Sequence, residues 1–122
     1  MKKLKLFQRQ KFELKDRNRL VFDFDGVIHS YKYGFCDGKI YGEPMKDAFK
    51  SIIKLQSDGY KIIISTARPN WKEIPKWLSK HGMPKDNIKK IEITDKKVYG
   101  RAYIDDRAIR FTNWKDILNY FR

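Results

Sequence analysis

YKIIISTAR, Tyr60–Arg68, carries an unbroken β-branched run, Ile62, Ile63 and Ile64, with no polar residue between them. A strand apolar on both sides needs a sheet whose two faces are both covered. Parallel sheets meet that condition, because their crossover helices lie on the faces. YKIIIST (60–66) therefore reads as the strongest strand of the chain, one buried in a parallel sheet. Upstream, LVFDF (20–24) reads as a buried strand. Downstream, IKKIEI (88–93) reads as a third and RAYID (101–105) as a fourth.

Helical patterns separate these runs. Pro44 opens PMKDAFKSIIKLQSDG, in which Met45, Ala48, Phe49, Ile52, Ile53 and Leu55 form a stripe ended by Gly59. NWKEIPKWLSKHGMP reads as a second helix with Asn70 as cap and Gly82 as stop, Pro75 leaving its start open. NWKDILNYF (113–121) reads as a last helix, capped by Asn113 with Asp116 three residues on. YKYGFCDGKIYG (31–42) alternates aromatics around Asp37-Gly38, the signal of a tight hairpin. Trp71, Trp77 and Trp114 are expected to pack. Strands alternating with helices predict a three-layer α/β fold with a mainly parallel sheet, as one domain over 20–122. Residues 1–19 form a basic arm or edge hairpin before it.

At 122 residues the chain has room for one core, and 41% hydrophobic content excludes global disorder. The net charge of +13 points to polyanionic company: nucleic acid, a phosphorylated ligand or an acidic surface. A merely solubilising surface is the plain alternative. Cys36 is the one cysteine, which excludes an internal disulfide and a Cys-rich zinc site. With no membrane-length apolar run and no secretory-type start, a cytoplasmic protein is expected. Oligomeric state is not legible.

Ligands of open parallel sheets bind off the carboxyl ends of the strands. Here those ends are chemically loaded. The first carries Asp23 and Asp25 before Gly26, the second Ser65, Thr66, Ala67 and Arg68, and the fourth Asp105 and Asp106, after Lys96 and Lys97. If the first and fourth strands are neighbours, four carboxylates crowd one site, which requires a cation. An all-oxygen donor set favours Mg²⁺. Lys97, Arg68 and the Thr66 hydroxyl suit the oxygens of a bound phosphate. One aspartate could then attack phosphorus while another moves the proton.

DFDG after an apolar strand, STAR ending the next, a lysine, and then YIDDR together resemble the haloacid dehalogenase superfamily. FDFDGVIHSY with KVYGRAYIDDRAIRF is similar to its small capless hydrolases. The resemblance implies a Rossmann-like sheet, Mg²⁺ dependence and phosphomonoester hydrolysis through an aspartyl-phosphate. It implies Asp23 as nucleophile and metal ligand, and Asp25 as acid/base whose backbone carbonyl reaches the metal. Thr66 would be the phosphate-binding hydroxyl (Ser65 the fallback) and Lys97 the phosphate-orienting lysine, with Lys96 the alternative because Val98 replaces the usual proline. Asp106 would be a metal ligand, with Asp105 ligating or supporting it.

The gaps between Gly26 and Pro44 and between Arg68 and Lys97 are too short for a cap domain, so an open site is expected, shielded at most by a 27–42 flap. An open basic site suits a large or extended phosphorylated substrate, such as a nucleic-acid end, better than a small metabolite that needs enclosing; a nucleotide or sugar phosphate is the plain alternative. A nucleic-acid-binding module with little turnover is the second reading. A receiver domain fits poorly, since its phosphorylated Asp ends a later strand, and here the later acids are paired. His29 and His81 are expected as hydrogen-bonded loop residues, and Arg68 has the alternative of a structural ion pair. Stacking of bases on Tyr31, Tyr33 and Phe35 is the less simple reading of that stretch.

Overall fold

The computed structural model describes residues 17–122. Most of the predicted basic arm or edge hairpin lies outside the described residues. Four strands form one sheet: β1 (Arg19–Phe22), β2 (Lys61–Ser65), β3 (Glu92–Thr94) and β4 (Ala102–Ile104). Their spatial order is β3-β2-β1-β4 and every pairing is parallel. The helices are α1 (Ala48–Ser57), α2 (Ile74–Lys80), α3 (Lys85–Lys89) and α4 (Trp114–Tyr120). Helices stand on both sides of the sheet, and there is no closed barrel and no cap-like insertion among the described residues. No described helix is long and apolar enough to cross a membrane.

The register explains the core. Leu20, Phe22, Ile62 and Ile64 share one face and pack with Phe24, Ile28, Ile52 of α1, and Ile74, Trp77 and Leu78 of α2. Val21 and Ile63 face the other way and are also buried, as the unbroken apolar run requires. Gly100, just before β4, lies against Val21 there; a Cβ on it would sit 2.7 Å from Val21 Cγ2.

Several local readings are corrected. Residues 31–42 form no hairpin: Cys36–Gly38 is a 3₁₀ turn, and Tyr33 and Phe35 point largely to solvent. Cys36 and Asp37 take left-handed backbone angles, φ 43° and 59°, so the chain turns back on itself without laddering. IKKIEI is not all strand: α3 runs through Lys89 and only Glu92 begins β3. The first helix starts at Ala48 rather than at Pro44, since Asp47 is left-handed (φ 64°). Asn70 is followed by a 3₁₀ turn, Trp71–Glu73, and its side-chain nitrogen donates to Gly38 O and Glu73 Oε2. Trp77 is core, but Trp114 is 70% exposed. Asn113 does cap α4, Oδ1 accepting from Asp116 N–H at 2.9 Å.

Candidate active site at the carboxyl edge of the sheet

Because β1 lies between β2 and β4, their three loaded ends emerge side by side. Asp23 N–H donates to Ile104 O at 2.9 Å, carrying the β1–β4 ladder one residue further and setting Asp23 beside Asp105. The chain then turns around the Phe24 carbonyl, which accepts from the N–H groups of Ile28 and His29, both at 2.9 Å. Phe24 itself is fully buried, so the acids on either side of it are directed to the edge of the core.

Asp23, Asp105 and Asp106 each bring a carboxylate oxygen within 4.8 Å of the others. Gly26 makes room for this: it has φ +83°, and a Cβ there would collide with the Asp106 carboxylate. Asp105 Oδ1 also accepts from Arg107 N–H at 2.7 Å. Burial, followed by the charges of Asp105, Asp106 and Asp25, pushes the Asp23 carboxyl up to about 6, against the hydrogen bond from Phe24 N–H. Three close oxygen donors in a partly desolvated pocket fit a hard divalent cation, which would offset both the burial of the Asp23 charge and its repulsion by Asp105 and Asp106.

The fourth carboxylate does not join them. Asp25 accepts from Arg68 Nε at 3.0 Å (Oδ1) and 2.8 Å (Oδ2), and from His29 Nδ1 at 2.8 Å. Gly42 N–H donates to His29 Nε2 at 2.9 Å, so that nitrogen carries no proton. His29 is therefore the neutral Nδ1–H tautomer, donating to Asp25. Burial pushes the Asp25 carboxyl up, but hydrogen bonds from His29 and Arg68 and the Arg68 charge outweigh it and hold the group below its ordinary value. The expectation of four converging carboxylates is thus corrected to three, with Asp25 in a separate network; only its backbone carbonyl is left for the role the resemblance implies at a metal.

Arg68 takes the structural alternative. It is 4% exposed, its Nη1 donates to Gly38 O, and its guanidinium lies over the rings of Tyr31 (5.6 Å) and Phe24 (5.9 Å). It ties Asp25 to the 31–42 loop through Nε and Nη1, while its buried Nη2 has no hydrogen-bond partner among the described residues. At the end of β2, Ser65 Oγ donates to Lys96 O at 2.9 Å, while buried Thr66 Oγ1 accepts from Arg68 N–H at 3.2 Å. Ser65 has committed its proton, and Thr66 keeps its own for another oxygen. Ala67, Lys96 and Lys97 are exposed beyond these strand ends.

His29, Gly38 and Gly42 escaped assignment to this network from sequence. The i,i+4 spacing of Asp25 and His29 was the one local hint, since the Gly38 and Gly42 contacts span distant loop positions.

The fold is that of a small α/β protein with a Rossmann-like sheet, four parallel strands flanked by helices. A solved structure, "Structure of the conserved protein coded by locus from Bacteroides thetaiotaomicron", superposes with a TM-score of 0.54 at 21% identity, over 87% of this chain and 90% of that one. The likeness is one of fold. No family model matches the chain, and no curated protein matches it.

Proposed function

We propose that the chain is a Mg²⁺-dependent phosphomonoesterase of the haloacid dehalogenase type, working through an aspartyl-phosphate on Asp23. The carrying observation is the trio of Asp23, Asp105 and Asp106 at the carboxyl edge, with Thr66 following the end of neighbouring β2 and no cap-like insertion among the described residues. These side chains would hold the Mg²⁺, whose charge neutralises phosphate oxygens and the crowded carboxylates. Asp23 Oδ2 is the attacking atom, because Oδ1 is engaged by Phe24 N–H at 2.8 Å. Its attack forms the O–P bond as the ester oxygen leaves with the bonding pair; water then cleaves the acyl phosphate. The Thr66 hydroxyl donates to a phosphate oxygen, and Lys97, or Lys96, supplies positive charge. Asp25, kept ionised by Arg68, is suited to accept the proton of the attacking water. To protonate the leaving group first, it must acquire a proton at the cost of that pairing.

The test is a screen of nucleotides, sugar phosphates and phosphorylated DNA or RNA ends, with and without Mg²⁺. Turnover should require Mg²⁺, vanish in Asp23→Asn, and fall roughly 10²–10⁴-fold in Asp25→Asn. Wild-type rates in Asp23→Asn would overturn the nucleophile assignment. The sequestration of Asp25 by Arg68 and His29 favours a second reading, a nucleic-acid-binding module with little turnover. It predicts oligonucleotide binding and no Mg²⁺-dependent hydrolysis of any ester in the screen.

A further inference from the structure

We propose that the 31–46 loop is a stacking platform for single-stranded polynucleotide, with an end-phosphorylated strand as the substrate class. This substrate class rests on the phosphatase reading above; the platform itself does not.

Single exposed apolar residues need no explanation. This loop shows two aromatics together, Tyr33 at 76% and Phe35 at 52% exposure. The loop presenting them is closely tied down. Its two ends are pinned together where Ser30 N–H donates to Glu43 O (2.9 Å) and Met45 N–H to Ile28 O (2.7 Å). Tyr41 Oη accepts from Tyr33 N–H (2.8 Å) and donates to Gly34 O (3.0 Å), and Gly38 O is held by Arg68 and Asn70. The backbone is thus satisfied internally while the rings are left to solvent, a preorganised surface that loses little freedom when something covers it.

The platform is braced against the Asp25 network. From Asp25 the path runs through His29 to the Tyr41 ring (centroids 5.2 Å apart) and from Tyr41 to the Tyr33 ring (5.8 Å). Beside Tyr33 lies a groove of about 420 Å³ lined by Lys32, Tyr41, Met45 and Lys46, with Glu43 on its wall. Aromatic faces accept any base, and lysines beside them pair with the backbone between bases. The occupant is single-stranded, because the bases of a duplex have no free faces to offer. The chain's net charge of +13 complements a polyanion.

The experiment measures binding without turnover: fluorescence anisotropy of a labelled, end-phosphorylated oligothymidylate with the full chain in the absence of Mg²⁺, at two salt concentrations. Tyr33→Ala alone should weaken binding by roughly 5- to 150-fold, the range for losing one stacked base, and Tyr33→Ala with Phe35→Ala by more than either alone. The salt dependence should stay the same, because the phosphate contacts remain, and Tyr33→Trp should bind at least as tightly as wild type. Wild-type affinity in the double variant, or no wild-type binding at physiological ionic strength, would overturn the platform. If the oligonucleotide binds through these rings but no phosphate ester is ever hydrolysed, the phosphatase reading fails and the platform stands. If small esters are hydrolysed with Mg²⁺ while the oligonucleotide binds no better than a mononucleotide, the platform fails alone.

Discussion

Asp23→Asn should make the metal-free protein more stable, although it removes the residue on which the proposed chemistry depends. Asp23 is pushed from 3.8 to about 6 by burial first and then by the neighbouring acids, so its ionised form is disfavoured in the folded state. On unfolding, the carboxyl returns to its ordinary value. Between pH 3.8 and about 6 the unfolded chain therefore holds fewer protons, and stability falls as pH rises. The penalty is complete above about 6 and absent below 3.8. Taken at face value it is about 3 kcal/mol; solvent screening at this half-buried group reduces it to about 1–2 kcal/mol. Asparagine carries no charge and its Oδ1 can still accept from Phe24 N–H, so the local turn is kept. Thermal unfolding at pH 7.5 in EDTA should place Asp23→Asn about 3–10 °C above wild type, with the gap closing by pH 4. Saturating Mg²⁺ should raise the wild type and shift the variant much less. A variant no more stable than wild type at pH 7.5, or an equal gap at both pH values, would show that charge crowding at Asp23 is not what the geometry implies.

Arg68→Ala leaves Asp25 and the Gly38 carbonyl without their buried partner and should cost about 3–5 kcal/mol in urea unfolding. Arg68→Lys should recover only part of this, since one ammonium cannot serve both Asp25 and Gly38 O as the guanidinium does. The Asp25 pairing stabilises the fold above its ordinary carboxyl value and is lost as pH falls through the lowered one, so Arg68→Ala should also flatten the acid limb of the stability curve. Gly26→Ala forces a side chain onto φ +83° and into the Asp106 carboxylate; it should cost about 1–3 kcal/mol and abolish the Mg²⁺-dependent rise in melting temperature. A Gly26→Ala protein that still responds to Mg²⁺ would show that Asp106 is not needed for the metal.

The features that could be read along the chain are those that rest on local composition. Ile62–Ile64 are apolar on both faces, which demands a covered parallel sheet, and LVF and AYI join the same sheet. Parallel strands carry their ends to one edge, so Asp23, Asp105 and Asp106 were legible as residues of that edge; that β1 and β4 lie side by side, which brings the three together, was set by the order of the sheet. The Asn113 cap was legible because it closes within one turn. The destination of Asp25 was decided by tertiary structure. Asp23 and Asp25 look equivalent along the chain, yet the turn around Phe24 sends one toward β4 and the other toward Arg68. Whether Arg68 faces a phosphate or pairs with an acid depends on Gly38 and Tyr31 coming to it across the loop. The 31–42 segment has hairpin composition, but Tyr41 closes it on itself through Tyr33 N–H and Gly34 O, and Arg68 and Asn70, 30 and 32 residues away in the chain, hold the Gly38 carbonyl, so it forms no ladder and leaves Tyr33 and Phe35 in solvent. Long-range hydrogen bonds to a loop carry no local period, and that is why they could be found only in three dimensions.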